Sequence, residues 1–268
     1  MNFSKIILQI IPRPFLIKIS YWIRPLAAFY LKGEKFTDPI DGRSFRKFLP
    51  YGYHMQRSNV LAPGTLSLER HRLLWLYLQN ETHFLKSTGS SGSIDDSGSN
   101  KNAKLKVLHM APEQCFLTRF KKLNHDYITA DLYSPIADIK ADITDLPFEN
   151  NTFDVIFCNH VLEHIPNDTK AMQELYRVMK PGGFGIFQVP QDLNRAVTFE
   201  DGSITDPKER TKIFGQYDHV RIYGRDYFDK LRSVGFKVDQ VDYTQKITTE
   251  FVEKYRLMKG EILPVVYK

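Results

Sequence analysis

Three polar residues stand just after runs that read as buried strands: Asp131, Asp142 and Asn159. A carboxylate at a strand end can accept both hydroxyls of a ribose, and a second can accept from the amino group of an adenine. Taken singly, each also suits the cap of a helix or turn. As a set in register they face one crevice. A second group lies in Phe214-Gly215-Gln216-Tyr217-Asp218-His219-Val220-Arg221-Ile222-Tyr223-Gly224. His219, Arg221 and Tyr223 alternate there, so in an extended chain they project to one side. His219 suits a general base that takes a proton from an accepting atom, and equally a hydrogen-bonded structural histidine. His160 carries the same two readings. His164 reads more readily as structural, and Glu163 beside it is ambiguous in the same way.

The elements that must position these residues alternate between strand and helix. Leu105-Lys106-Val107-Leu108-His109-Met110 reads as a buried strand, followed by a helix with Phe116, Phe120 and Leu123 at helical spacing. Further strands are expected at 127–132, 139–142, 153–159 and 184–189. A helix over 168–179 turns Ala171, Leu175, Val178 and Met179 inward and stops at Lys180-Pro181-Gly182-Gly183. After a polar excursion to about residue 223 come a helix over 226–234 and late strands at 238–243 and 262–267, whose separation suits a final antiparallel pair. Such alternation predicts an α/β fold with a doubly wound, mostly parallel sheet, and ligands in such sheets bind beyond the carboxyl ends of the strands.

Residues 105–268 resemble the class I S-adenosylmethionine-dependent methyltransferases. The resemblance is carried by Asp142-Ile143-Thr144-Asp145-Leu146-Pro147-Phe148, by Phe153-Asp154-Val155-Ile156, by Asn159-His160-Val161-Leu162-Glu163-His164-Ile165-Pro166, and by Glu174 through Gly183, in that order and spacing. It implies a Rossmann-like, seven-stranded sheet and S-adenosylmethionine as cofactor. It places Asp142 and Ile143 against the adenine, Asp131 and Leu132 at the ribose, and Asn159, His160 and Val161 along the cofactor and active site. The first loop departs from the family pattern. His109 stands where an acid is usual, and Ala111 and Glu113 stand where glycines are usual. This His-x-Ala-Pro-Glu form, His109 to Glu113 with Pro112 inside it, looks like a branch of the family similar to the type 11 methyltransferases. Glu113 is the residue expected to supply the missing carboxylate. The missing glycine fingerprint argues against a nicotinamide enzyme.

The N-terminal half reads differently. Phe36-Thr37-Asp38-Pro39-Ile40-Asp41-Gly42 and Leu61-Ala62-Pro63-Gly64-Thr65-Leu66-Ser67 each look like a zinc-ribbon knuckle, with Asp38, Asp41, Ala62 and Thr65 at the four ligand positions. Those residues cannot make a thiolate cage, so a metal-free ribbon that keeps its turns is expected, and no metal site elsewhere. His54 and His71 leave a rearranged metal site as the alternative. A helix is expected near 68–78, with Leu74 and Leu78 on one face. Residues 86–104, rich in Ser, Gly, Asn and Asp, read as a flexible linker. The expected domains are therefore 1–32, 33–85, 86–104 and 105–268. Residues 1–32 are basic and apolar, with Ile and Leu on one side and Lys or Arg on the other. Such a segment can lie in a membrane interface or pack on protein. Pro12, Pro14 and Pro25 are expected to break any single spanning helix.

Bulk properties agree. The chain has 268 residues and a net charge of +6, enough for contact with anionic lipid or an acidic substrate without demanding nucleic acid, and none is expected. Cys115 and Cys158 are outside any paired spacing, which excludes a disulfide framework and points to a reducing, cytoplasmic setting, peripheral to the inner face of a membrane. The expected function is methyl transfer from S-adenosylmethionine to a small-molecule, glycan or lipid-linked acceptor. The alternative is a non-catalytic binding or scaffold protein that retains the fold.

Overall fold

The structure, a computed structural model, describes residues 13–52, 56–86 and 104–268. The chain divides into two compact units. One comprises Met1–Lys86, Gln114–Arg119 and Asp242–Glu261; the other comprises Ser87–Glu113, Phe120–Val241 and Ile262–Lys268. The boundaries are therefore discontinuous, unlike the consecutive domains expected from composition. The expected linker falls almost wholly outside the described residues, as do residues 1–12 and His54.

The first unit opens with helix α1, Arg13–Tyr30, which runs through Pro25. The expectation concerned a membrane-spanning helix, and this shorter helix accommodates Pro25 within it. A proline removes one backbone donor, which a helix can survive as a kink. Ala28 and Leu31 are buried, whereas Trp22, Ile23, Leu26, Phe29 and Tyr30 are 56–84% exposed on the opposite side. Among the described residues no helix is long and apolar enough to cross a membrane. Two hairpins follow: β1 (Lys32–Thr37) with β2 (Ser44–Phe45), and β3 (Leu49–Tyr51) with β4 (Arg57–Leu61). Phe36, Phe45, Phe48 and Ala62 join Ala28 and Leu31 in a small core. Helix α2, Glu69–Glu81, buries Leu73, Leu74 and Leu78 as its pattern predicts.

Two buried polar groups hold this unit together. The Asp38 carboxylate, fully buried, accepts from the Thr65 hydroxyl, from Ser67 Oγ at 3.1 Å and from the Ile40 N–H at 3.1 Å. Burial pushes its pKa up despite these bonds. Thus two of the four ribbon ligand positions meet in a direct hydrogen bond. Asp41 instead pairs with Arg43 at 2.6 Å, and Ala62 closes the second turn by accepting from the Leu66 N–H. The buried Arg72 guanidinium donates to the carbonyls of Val60, Ser67, Tyr255 and Arg256 at 2.6–3.0 Å. Those last two bonds tie 242–261 to the N-terminal half. Burial lowers the Arg72 pKa to about 10, so it remains charged at neutral pH.

The second unit is built on a seven-stranded sheet. Its strands are β5 (Lys106–Met110), β6 (Asp126–Asp131), β7 (Ile139–Lys140), β8 (Phe153–Cys158), β9 (Met179–Ile186), β12 (Lys237–Val241) and β13 (Leu263–Tyr267). A short pair, β10 (Phe199–Glu200) with β11 (Arg221–Ile222), stands apart from it. The order is β12-β13-β9-β8-β5-β6-β7, parallel except for β13, which runs antiparallel to both neighbours. This is the Rossmann-like sheet expected, including the closing antiparallel pair.

The helix Asp168–Val178 covers one face with Ala171, Met172, Leu175 and Val178, all buried. The Asn167 side chain caps it by accepting from the Lys170 N–H at 3.0 Å. Strand β9 begins earlier than predicted, at Met179, so Pro181-Gly182-Gly183 lies within it. A register shift absorbs the extra residues: Phe153 pairs with Met179 but Val155 with Phe184. A side chain at Gly185 would sit 2.8 Å from the Ile156 carbonyl, which is why the strand tolerates only glycine there.

Candidate active site

The parallel strands bring the polar strand-end residues together. Met110 is paired with Ala130 on one side and Cys158 on the other, so the next residues, Ala111, Asp131 and Asn159, leave three adjacent strands at one level. Asp131 pairs with Lys140, two residues before Asp142. The expected register of Asp131, Asp142 and Asn159 is therefore present.

Each has atoms to spare. Asp131 Oδ1 accepts the N–H groups of Tyr133 and Ser134 at 2.6 and 2.5 Å, leaving Oδ2 without a protein partner. Asp142 Oδ1 accepts from the Thr144 N–H and hydroxyl, both at 2.8 Å, and these bonds hold its carboxyl below the usual range. Asp142 itself is exposed, beside buried Ile143, and Leu132, which follows Asp131, is half-buried. Asn159 is 3% exposed. Its Oδ1 accepts from the Gln188 N–H at 3.3 Å, while its Nδ2 is buried with no partner. Gln188 Oε1 is also buried without one. Gln188 was not singled out from the sequence, although a polar residue just past a strand is the signal that marked the others.

Two non-glycine residues at this edge have left-handed backbones: Ala111 (φ 46°), just after β5, and His160 (φ 54°), just after β8. Strain of about 1–2 kcal/mol per residue survives where the surroundings impose it, commonly at binding sites. Ala111 thus adopts the conformation for which glycine is the usual residue.

His109 lies in β5, one residue before its end. It is fully buried, with Nδ1 2.7 Å from the Tyr127 hydroxyl and Nε2 2.5 Å from Glu113 Oε2. Both ring nitrogens thus have partners within the protein, one of them in the loop that follows β5. Glu113 directs one oxygen to His109. Pro112 is buried beside it, and Val161 packs against the core.

The second group also assembles. As the alternation predicts, His219, Arg221 and Tyr223 all lean on one segment, 162–168. Arg221 donates to the carbonyls of Leu162, Ile165 and Pro166 at 2.5–2.9 Å. Tyr223 OH donates to Asp168 Oδ2 at 2.8 Å. The His219 ring meets that of His164 edge-on, centroids 4.7 Å apart. Glu163, only 1% exposed, makes no well-aligned hydrogen bond through either oxygen; His160 Nδ1 lies 3.2 Å from its Oε1. Burial opposes its ionisation, yet the neighbouring His160 and His164 outweigh burial and hold its carboxyl low. Burial lowers the His219 pKa, whereas for His164 the Asp218 contact overcomes burial and raises it.

Residues 98–187 match the family described as Methyltransferase domain. A sterol 4-C-methyltransferase of Caenorhabditis elegans is 29% identical over 155 residues, 58% of this chain and 44% of that protein. A ubiquinone/menaquinone biosynthesis C-methyltransferase of Coxiella burnetii is 43% identical over 53 residues, 20% of this chain and 21% of that one. The chain thus spans less than half the length of these curated relatives. A solved S-adenosylmethionine-dependent methyltransferase from Mesorhizobium loti aligns with 73% of this chain and 98% of its own, with 14% identity and a TM-score of 0.42. Residues 98–187 thus match a methyltransferase domain, and most strands of the seven-stranded sheet fall within that match.

Proposed function

We propose that this protein transfers the methyl group of S-adenosylmethionine to an acceptor presented at a membrane surface. The observation that carries the catalytic part is the row of unused polar atoms at the strand ends: Asp131 Oδ2, Asp142 Oδ2 and Asn159 Nδ2. Asn159 Nδ2 is buried and Asp131 half-buried, and polar atoms so placed without protein partners suit a polar ligand, with the exposed Asp142 at the rim. Asp131 fits a ribose diol, Asp142 with Ile143 fits the adenine, and the Ala111–Glu113 loop fits the amino-acid end. The cofactor supplies a methyl group already activated by its sulfonium. The chain's task is to align a nucleophile with it and exclude water. His160, strained and half-buried at the end of β8, is the side chain we place closest to the acceptor.

The outward face of α1 supports a membrane-bound acceptor. Trp22, Ile23, Leu26, Phe29 and Tyr30 cover an arc of about 120° on one side of the helix. Arg46 lies 4.7 Å above the Tyr30 ring, and a cleft in the same unit is lined by Arg24, Arg119 and the Arg43–Asp41 ion pair, a net positive lining. Aromatic residues beside basic ones suit an anionic lipid interface. The relatives named as acting on a sterol and in quinone biosynthesis make a lipid-soluble acceptor the class to try first.

Titration calorimetry with S-adenosylmethionine tests the first part. Saturable binding is expected, and none at millimolar cofactor would leave the scaffold reading in its place. Co-sedimentation with phosphatidylglycerol vesicles tests the second. Trp22→Glu with Phe29→Glu should abolish it, and full-length protein that ignores such vesicles removes the membrane.

A further inference from the structure

We propose that Glu163, His164 and His219 form a binding site for a divalent transition metal of the zinc class. One ligand atom from each lies within 4.8 Å of the others. Two imidazoles and one carboxylate are a common catalytic metal set, and they leave positions open for water or an acceptor oxygen. Tetrahedral zinc with bonds of about 2.0–2.1 Å needs ligand atoms roughly 3.4 Å apart, so small side-chain rotations close the site.

The surroundings prepare each ligand. His219 Nδ1 is 3.2 Å from the Phe214 carbonyl, so that nitrogen carries the proton and Nε2 keeps its lone pair. His164 Nδ1 is 3.3 Å from the Asp218 carbonyl and 3.4 Å from its carboxylate, which leaves Nε2 in the same state. A carbonyl or carboxylate behind each imidazole is the arrangement that orients metal-binding histidines. Glu163 supplies the second, independent observation. Its carboxylate is 1% exposed with neither oxygen in an aligned hydrogen bond and, among the described residues, only the His160 imidazole, 3.2 Å from Oε1, at ion-pair distance, so Oε2 is a buried acceptor available to a cation. His164 is half-buried, so a group on the metal can reach solvent. In this site His219 is a metal ligand, a third role beside the general base and the structural histidine that its sequence context suits.

The test uses tag-free, full-length protein stripped with chelator and dialysed against Zn²⁺ or Co²⁺. Mass spectrometry of the metal should count about one equivalent per chain, and Co²⁺ should give the visible bands of a low-symmetry, low-coordinate ion. His219→Asn and Glu163→Gln should each lose the bound metal. Asp218→Asn, which keeps all three ligands, should weaken affinity about 10–100-fold. His83→Ala, at an exposed histidine elsewhere, should bind as wild type. Should the buried variants fail to fold, His164→Asn at the half-buried position carries the same expectation. Wild-type binding no stronger than that of His164→Asn/His219→Asn overturns the proposal. Cofactor calorimetry on the same samples reports separately on the methyltransferase reading, which the metal site does not require.

Discussion

Around Asp38, a buried carboxylate accepts from Thr65, Ser67 and Ile40, and a buried guanidinium donates to four carbonyls. At the ends of β8 and β9, Asn159 Nδ2 and Gln188 Oε1 are equally buried and have no partner. The first cluster consumes its polar atoms in holding the chain together; the second leaves them for something else. A buried polar atom without a partner costs about 1–3 kcal/mol, so the second arrangement persists only if a ligand or water repays it. The comparison separates a cluster whose polar atoms are engaged within the protein from one with polar atoms to spare for a ligand.

Arg72→Met should give the largest effect. It removes four carbonyl partners and the cation near Asp38, a loss of about 3–5 kcal/mol in urea unfolding. Cofactor affinity, measured where the variant is folded, should not change. If it falls with stability, the Asp38 cluster is not purely structural.

Asp131→Asn is the converse. The amide oxygen still accepts from Tyr133 and Ser134, but the charge toward a ribose is gone. Calorimetry should show cofactor binding weakened by about 10–100-fold, the worth of a charge-assisted hydrogen bond, with little change in unfolding. Unaltered binding would leave Asp131 as a turn cap.

A third variant sharpens the structural side through pH. Burial raises the Glu261 carboxyl in the first unit to about 7 from an ordinary 4.5. Between those values the folded chain holds a proton that the unfolded chain releases, so this group's stabilisation is full in acid and fades as pH rises through 7. Glu261→Gln should therefore remove about 1–3 kcal/mol of that pH dependence and raise the melting midpoint at pH 8. A wild-type curve flat from pH 5 to 8 would contradict it.

Much of this was legible because a polar residue ending an apolar run marks a strand end, and parallel strands carry such ends to one edge. Asp131, Asp142 and Asn159 follow that rule. His109 escaped it because a strand buried on both faces has no alternation to show which way a side chain points. Glu163, beside His164, is ambiguous in sequence between a functional and a structural role. Its burial depends on Arg221, which grips the Leu162 carbonyl from 59 residues away. The joining of 242–261 to the N-terminal half was equally hidden, since it rests on Arg72 reaching Tyr255 and Arg256. Pairings of that length leave no local pattern.

The smallest expected effect probes the loop after β5. Ala111 has a left-handed backbone, as does Leu66 in the second ribbon-like turn, at φ 46° and 61°. Glycine accepts that conformation without strain but costs more entropy on folding, so Ala111→Gly should stabilise the chain by only about 0.5–1 kcal/mol. Leu66→Gly has the same backbone term offset by the lost side chain. Only the first substitution touches the strand-end crevice, and it restores the residue usual in the family, so cofactor affinity should hold or rise. Ala111→Val reverses both signs, because a β-branched side chain fits this conformation worst: stability should fall by about 1–2 kcal/mol, and the distorted loop should bind cofactor less well. An Ala111→Val protein that bound S-adenosylmethionine as tightly as wild type would take the loop out of the site and leave Asp131 and Asp142 to account for the affinity.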